Sequence, residues 1–119
     1  MPGAKLSKFE LFSGEKRFTS LKLVTRNATL MLLSEGEDSF GTLAVAVPQR
    51  AGMLGPPSSS TLLGDREPTL ARFLAEHLAQ LTGKMSLVSV FTKTVYGREA
   101  AQLCIKLFEE TLKAEEEEV

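Results

Sequence analysis

The sequence predicts an α+β domain in which an antiparallel sheet of five or six strands carries two helices on one face. Short apolar runs separated by polar turns fill the first half of the chain, as expected for strands. A helical repeat first appears near position 68, and a second one closes the chain. The length of 119 residues, with 43% hydrophobic and 24% charged residues, fits one soluble globular domain spanning 1–119.

The apolar runs place the strands. We predict strands at Lys5–Phe12, Phe18–Thr25, Ala28–Ser34, Thr42–Val47 and Met85–Thr92, with a further short strand at Thr61–Leu63. Residues 48–60 contain three prolines, two glycines and three consecutive serines without any periodicity, which predicts a long loop.

The first helix is predicted from Pro68 to Thr82, with Gly83 ending it, because proline suits a first helical position and glycine a C-terminal cap. Arg72, Glu76 and Gln80 fall on its wet side. Its apolar side repeats at helical spacing and comprises Leu70, Phe73, Leu74, His77, Leu78 and Leu81. A second helix over roughly 98–113 has an apolar side formed by Ala100, Ala101, Cys104, Leu107, Phe108 and Leu112.

Several predicted strands are apolar on both faces, which two helices on one side cannot cover. We therefore expect the outer face of the sheet to form a dimer interface. In Leu43–Val47 the larger residues alternate with Ala44 and Ala46, and we assign the larger ones to the helices and the alanines to the interface. The predicted interface residues are Leu30, Leu32, Ala44, Ala46, Leu87 and Phe91. The alternative is that the N-terminal segment and the long loop fold over this face.

Residue types for catalysis are scarce. His77 is the only histidine and lies in an apolar helical stripe, where a packed residue is far more common than a base. Cys104 falls mid-helix on the buried side and is expected to behave as a small hydrophobe. The sequence has no metal-ligand spacing and no glycine-rich phosphate loop, so we expect neither cofactor, metal nor enzymatic activity.

The charge pattern gives no sign of nucleic acid or membrane partners, since the net charge is −1. Residues 1–26 carry six basic residues against two acids, which we interpret as the solvated edge of a strand rather than a nucleic-acid site. The acidic tail, residues 114–119, contains Glu115–Glu118 and is expected to fray into solvent. A single cysteine and no signal peptide favour the cytoplasm, or the nucleus.

The later two thirds of the chain, roughly residues 40–113, resemble the small proteasome assembly chaperones of the third and fourth types, and the fourth most closely. The residues that carry this resemblance are Leu43–Val47, Ser60–Asp65 with its Leu-Leu-Gly-Asp turn, Leu81–Lys84, and Leu87–Val90, followed by the closing amphipathic helix. The resemblance implies a small sheet-plus-two-helix protein that dimerises with a paralogue.

By the same resemblance, the heterodimer would bind an α-type subunit of the 20S proteasome and help the α-ring assemble, without catalysis or cofactor. The chain departs from other proteasome-binding proteins at its end, which reads Glu117-Glu118-Val119 instead of a hydrophobic-Tyr-X tail. A homodimer stays open as an alternative.

Two other functional classes remain open. A small dimeric adaptor of the roadblock or longin kind, which scaffolds trafficking or signalling complexes, is also α+β. Those folds usually begin or split the sheet with a helix, and no helical pattern precedes residue 68 here. The second class is a small-molecule-binding domain or minor enzyme.

Overall fold

The computed structural model describes residues 3–49 and 58–119. Each strand and helix of these two segments follows an apolar run or repeat of the sequence, apart from a short strand at the C-terminus. In chain order the elements are β1 (Lys5–Ser13), β2 (Lys16–Val24), β3 (Ala28–Glu35), β4 (Thr42–Val47), β5 (Ser58–Leu63), α1 (Pro68–Thr82), β6 (Met85–Phe91), α2 (Gly97–Lys113) and β7 (Glu117–Glu118).

The strands of the described segments form one sheet in the order β5-β4-β6-β3-β2-β1-β7. Neighbouring strands are antiparallel except β3 and β6, which run parallel. The α+β class is therefore confirmed, although the sheet is mixed and has seven strands where five or six antiparallel ones were predicted. The parallel pair arises because α1 carries the chain back from β5, across β4, so that β6 enters between β4 and β3.

Both helices lie on one face of the sheet, as predicted. The α1 helix contacts chiefly β4 and β6, whereas α2 contacts β2 and β1. Paired positions on neighbouring strands share a face, and one such row runs from Ser20 through Leu33 to Val90. The Ser20 hydroxyl contacts the Thr111 hydroxyl of α2. Leu33 and Val90 belong to the same buried core as Leu74 of α1, so the two helices share one side.

The helix α1 packs on the sheet through leucines and alanines. Its buried residues are Leu70, Ala71, Leu74, Ala75, Leu78 and Ala79. The prediction that Phe73, His77 and Leu81 face the sheet is wrong, because all three are exposed, Phe73 at 54% and Leu81 at 56%. The small alanine side chains let the helix approach β4 closely, which turns the bulkier residues toward solvent, with His77 in contact with Phe108 of α2. The His77 ring stacks on Phe73 of the same helix with centroids 6.3 Å apart.

Shortening single side chains to alanine should therefore affect stability differently on the buried and the exposed sides of α1. Leu74→Ala is expected to cost about 2–5 kcal/mol of unfolding free energy, as for other buried leucines. Phe73→Ala should cost about 1 kcal/mol or less, because its ring is already half in water. Urea unfolding measures both, with the exposed Gln80→Ala as a control that should stay within about 0.5 kcal/mol of the parent. Equal losses at Leu74 and Phe73 would contradict this packing.

The helix α2 is close to its prediction. It begins at Gly97, one residue before the expected start, and ends at Lys113 as expected. Its buried residues are Ala100, Cys104, Leu107, Phe108 and Thr111, with Ala101 and Leu112 partly buried at the flank.

Two predicted irregular segments are in part regular. Ser58–Ser60, assigned to the long loop 48–60, begin β5, while residues 50–57 lie outside the described residues. The expectation that Glu115–Glu118 fray into solvent is wrong for the backbone of Glu117 and Glu118, although all four residues stay exposed. Glu117 and Glu118 pair with Leu6 and Lys5 of β1, and the Val119 N–H donates to the Ala4 carbonyl at 3.0 Å.

Gly64 closes the turn between β5 and α1. Its φ of 88° lies in the left-handed region, and a Cβ at this position would stand 2.6 Å from the Cα of Thr42. Thr42 in turn accepts a hydrogen bond from the Arg66 N–H at 3.1 Å. The Leu-Leu-Gly-Asp turn thus requires glycine for both its conformation and its close approach to β4.

Gly64→Ala is accordingly expected to lower the unfolding free energy by about 1–3 kcal/mol from backbone strain alone, with the Thr42 contact adding to this. Gly83→Ala is a useful comparison, since Gly83 has a φ of 69° but open space around it. Thermal unfolding should rank Gly64→Ala as the more damaging change. The reverse ranking would mean that the turn tolerates a side chain.

Candidate interaction surface

The face of the sheet opposite the helices presents a continuous row of apolar side chains. Strand pairing aligns Leu6, Leu23, Leu30, Leu87 and Val45, one residue from each of five adjacent strands. At about 4.8 Å per strand the row is about 19 Å long. A second row beside it contains Leu21, Leu32 and Leu43.

We call this surface the open face, because no helix or strand of residues 3–49 and 58–119 covers it. It is formed by Leu6, Leu21, Leu23, Leu30, Leu32, Leu43, Val45, Leu87 and Phe91. Leu32 is 8% exposed, and the other members keep intermediate exposure, whereas Met31, Leu33 and Val88 on the helix side are fully buried. An apolar surface of this extent is characteristic of an interaction site.

Four of the six predicted interface residues meet on this face. Leu30 lies directly opposite Leu87 on the neighbouring strand, and Leu32 and Phe91 continue the same two strands on the same side. The structure therefore brings these four together at the centre of the sheet. Whether they contact a second chain stays a prediction.

Ala44 and Ala46 do not belong with them. Their exposures are 0% and 1%, and they form part of the core beneath α1. The assignment of these alanines to the outer face is wrong because β4 receives the alanine side of α1, where a small residue opposite another small residue brings helix and strand close together. Leu43 and Val45, which we expected under the helices, point to the open face instead.

A sequence signal for the correct phase of β4 exists in α1. Ala71, Ala75 and Ala79 recur at i, i+4 and i+8 and form a stripe of small residues along the helix. Such a stripe needs a close-packed neighbour, and the alternating alanines of β4 supply one. With β4 assigned in this way, Leu43 and Val45 would have been predicted as interface residues.

Charged groups border the apolar centre. At the β1 side Glu10 pairs with Arg17, both about half exposed. The hydrogen bond and the negative charge of Glu10 raise the pKa of Arg17 above its ordinary value. Near the same strand ends, the Lys93 ammonium lies 6.0 Å from the centre of the Phe91 ring. An apolar centre with a charged rim is the usual anatomy of a protein–protein interface.

The described residues contain few side chains suited to metal binding or catalysis. They contain no group of three or more His, Cys, Asp or Glu side chains that could hold a metal ion. His77 is exposed and contacts the rings of Phe73 and Phe108. Cys104 is buried as predicted, and burial, with smaller effects of Glu67 and Glu35, raises the pKa of its thiol to about 12. A thiol in this state is a poor nucleophile.

Neither α1 nor α2, the helices of the described segments, is long and apolar enough to cross a membrane. Among the surfaces of the described residues, the open face has the clearest binding character, because it is a continuous apolar row across five strands.

Comparisons with known proteins give a structural match only. No protein-family model matches the chain, and neither does any curated protein sequence. Among solved structures, the chain is similar to a chain from the crystal structure of a chaperone complex for yeast 20S proteasome assembly. The TM-score is 0.59 at 9% sequence identity, and the match covers 90% of this chain and 98% of the yeast chain.

At this identity the match establishes a shared fold over nearly the whole of both chains. It agrees with the resemblance found in the sequence, which was based on local motifs rather than on overall shape. The chain has the fold of a subunit of a proteasome assembly chaperone complex.

Proposed function

We propose that this protein is a non-catalytic proteasome assembly chaperone that acts as one half of a dimer. In this proposal the open face packs against a second chain of the same fold, either a paralogous subunit or a second copy. The pair then binds an α-type subunit of the 20S proteasome and promotes assembly of the α-ring. The observation that carries the proposal is the open face, on a fold shared with a subunit of a proteasome assembly chaperone complex.

The packing of the sheet supports the dimer. Leu30 and Leu87 lie at the centre of the row that crosses five strands, and each keeps partial exposure in the single chain. A second sheet laid on this row would remove its apolar area from water, at about 25 cal/mol per Å². The charged groups at the rim would remain solvated, as they do in ordinary dimer interfaces.

The turn that leads into α1 supports a relationship to the fourth chaperone type. Its sequence is Leu62-Leu63-Gly64-Asp65, and the positive φ of Gly64 makes it a specific structural feature rather than a composition bias. We place the protein in the cytoplasm, with the nucleus as a second location, because proteasome assembly intermediates would be its substrates.

Affinity purification of the tagged full-length chain tests the proposal. Quantitative mass spectrometry is expected to recover 20S α-type subunits, together with a small partner of the same fold unless the protein pairs with itself. Leu30→Glu should lose the α-type subunits, whereas the exposed helical change Gln80→Glu should retain them. Recovery of small GTPases or trafficking subunits in their place would favour the adaptor class and overturn the proposal.

A further inference from the structure

The C-terminal tail occupies part of the free edge of the sheet. After α2 ends at Lys113, three residues lead to β7, which pairs antiparallel with Lys5 and Leu6 of β1. β1 itself is nine residues long, and β7 covers two of them. Along the rest of β1 the described residues supply a strand partner only on the β2 side. Most of this edge thus retains main-chain groups suited to pairing with another strand.

A buried cation lies behind this edge. The Lys22 side chain is 9% exposed, and its Nζ is 3.5 Å from Glu116 Oε2 at the start of the tail. This distance is longer than a well-formed charged hydrogen bond. Ser7 is paired with Lys22 across the strands, and its buried Oγ makes no hydrogen bond within the described part of the chain. Together the Lys22 ammonium and the Ser7 hydroxyl can donate more hydrogen bonds to a carboxylate than the tail accepts from them.

The residues around Lys22 and Ser7 also favour a negatively charged segment. Lys8 and Leu6 line one surface cleft with Glu115 and Glu117. Lys5, at the end of β1, is paired with Glu118. The tail is therefore an acidic extended segment lying along a lysine-rich edge, but its own residues 115–119 all remain exposed. A two-residue strand with exposed side chains is weakly held.

We propose that the β1 edge, with Lys22 and Ser7 behind it, is a docking site for an acidic extended segment of a partner protein. In the free protein the glutamate run of the tail occupies this site. A partner segment would displace it, pair with β1 by strand addition, and extend beyond the two residues that β7 covers. The positive charge of Lys5, Lys8 and Lys22 near the start of β1 selects acidic partners, and the length of β1 selects extended ones. This inference does not depend on the proposed chaperone function.

The full-length variant with Glu115–Glu118 all changed to glutamine provides the test. It keeps the length of the tail but removes the charge that binds it to the lysines. The probe is a fluorescein-labelled peptide with the chain's own sequence 113–119, KAEEEEV, and the control is KAQQQQV. We expect the variant to bind the acidic peptide at least about tenfold more tightly than the parent chain, whose tethered tail competes for the site. Salt should weaken this binding.

Lys22→Met in the same glutamine background should abolish binding of the acidic peptide, since it replaces the buried ammonium with an apolar side chain of similar length. Amide exchange of β1 should slow when the acidic peptide binds. Equal peptide affinity for parent and variant, or equal binding of KAEEEEV and KAQQQQV, would overturn the proposal. If the fourfold variant loses its folded near-ultraviolet signal, the single variant Glu116→Gln replaces it. Its peptide affinity is then compared with that of the parent, and its binding of KAEEEEV with that of KAQQQQV.

Discussion

Leu30→Glu is expected to abolish dimerisation while leaving the single chain folded. Leu30 is partly exposed in the chain alone, so its carboxylate would remain in water there. Between two packed sheets the same carboxylate would be desolvated next to Leu23 and Leu87, at a cost of several kcal/mol. A loss of about 3 kcal/mol corresponds to a dissociation constant raised by more than a hundredfold. Sedimentation velocity measures the change, with Gln80→Glu as the matched control.

Ala46→Glu makes a useful contrast because its outcome should differ in kind. Ala46 is 1% exposed beneath α1, so a carboxylate there is desolvated even in the single chain. We expect this variant to unfold rather than to dissociate. If Leu30→Glu sediments as the parent does, the open face is not the interface. If Ala46→Glu stays folded, the position of α1 on β4 is wrong.

Glu35→Gln is expected to cost about 2–3 kcal/mol of stability at neutral pH. The Glu35 carboxylate accepts hydrogen bonds from the backbone N–H groups of Lys93, Thr94 and Val95 and from the Thr94 hydroxyl. It therefore fixes the connection between β6 and α2 from the end of β3. An uncharged amide accepts these bonds more weakly and turns an N–H group toward other donors. Glu37→Gln, at an exposed neighbouring position, should change stability by no more than about 0.5 kcal/mol.

The pH dependence of stability supplies a second readout for Glu35. Burial opposes its ionisation, but the hydrogen bonds from Thr94, Lys93 and Val95 outweigh this and lower the pKa from 4.5 to about 2. Since the folded-state pKa lies below the unfolded one, the stabilisation is complete above about pH 4.5 and is lost as the pH falls toward 2. Chemical unfolding over this range should show a slope in the parent that is absent in Glu35→Gln. An unchanged slope would exclude Glu35 as its source.

The local pattern of the sequence predicts most of the elements. Thr42–Val47 is reproduced as β4. The helix from Pro68 to Thr82 has the predicted bounds, because Pro68 suits its first position and Gly83 its C-terminal cap. Several strands are apolar on both faces while two helices can cover only one, which also predicts an uncovered apolar surface. These inferences depend on residues near each other in the chain, where propensity and periodicity carry the information.

What the sequence alone misses depends on distant contacts. The faces of β4 were inverted because both faces are apolar, and only its contact with the alanines of α1 distinguishes them. The parallel pairing of β3 with β6 follows from the path of α1 across the sheet, which no local pattern encodes. The tail was expected to be free because its four glutamates repel one another, yet Lys22, about 90 positions earlier in the chain, lies beside it.

The most direct test of the proposed interface is the alkylation rate of a cysteine placed at Val45, on the open face. The native Cys104 gives little background because it is buried and its pKa is raised to about 12. In the complex purified with proteasome α-type subunits, Val45→Cys should react at least about tenfold more slowly than in the dilute single chain, whereas Gln80→Cys on α1 should react equally in both. Reaction of Val45→Cys at the same rate in the complex and in the single chain would contradict a dimer built on this face.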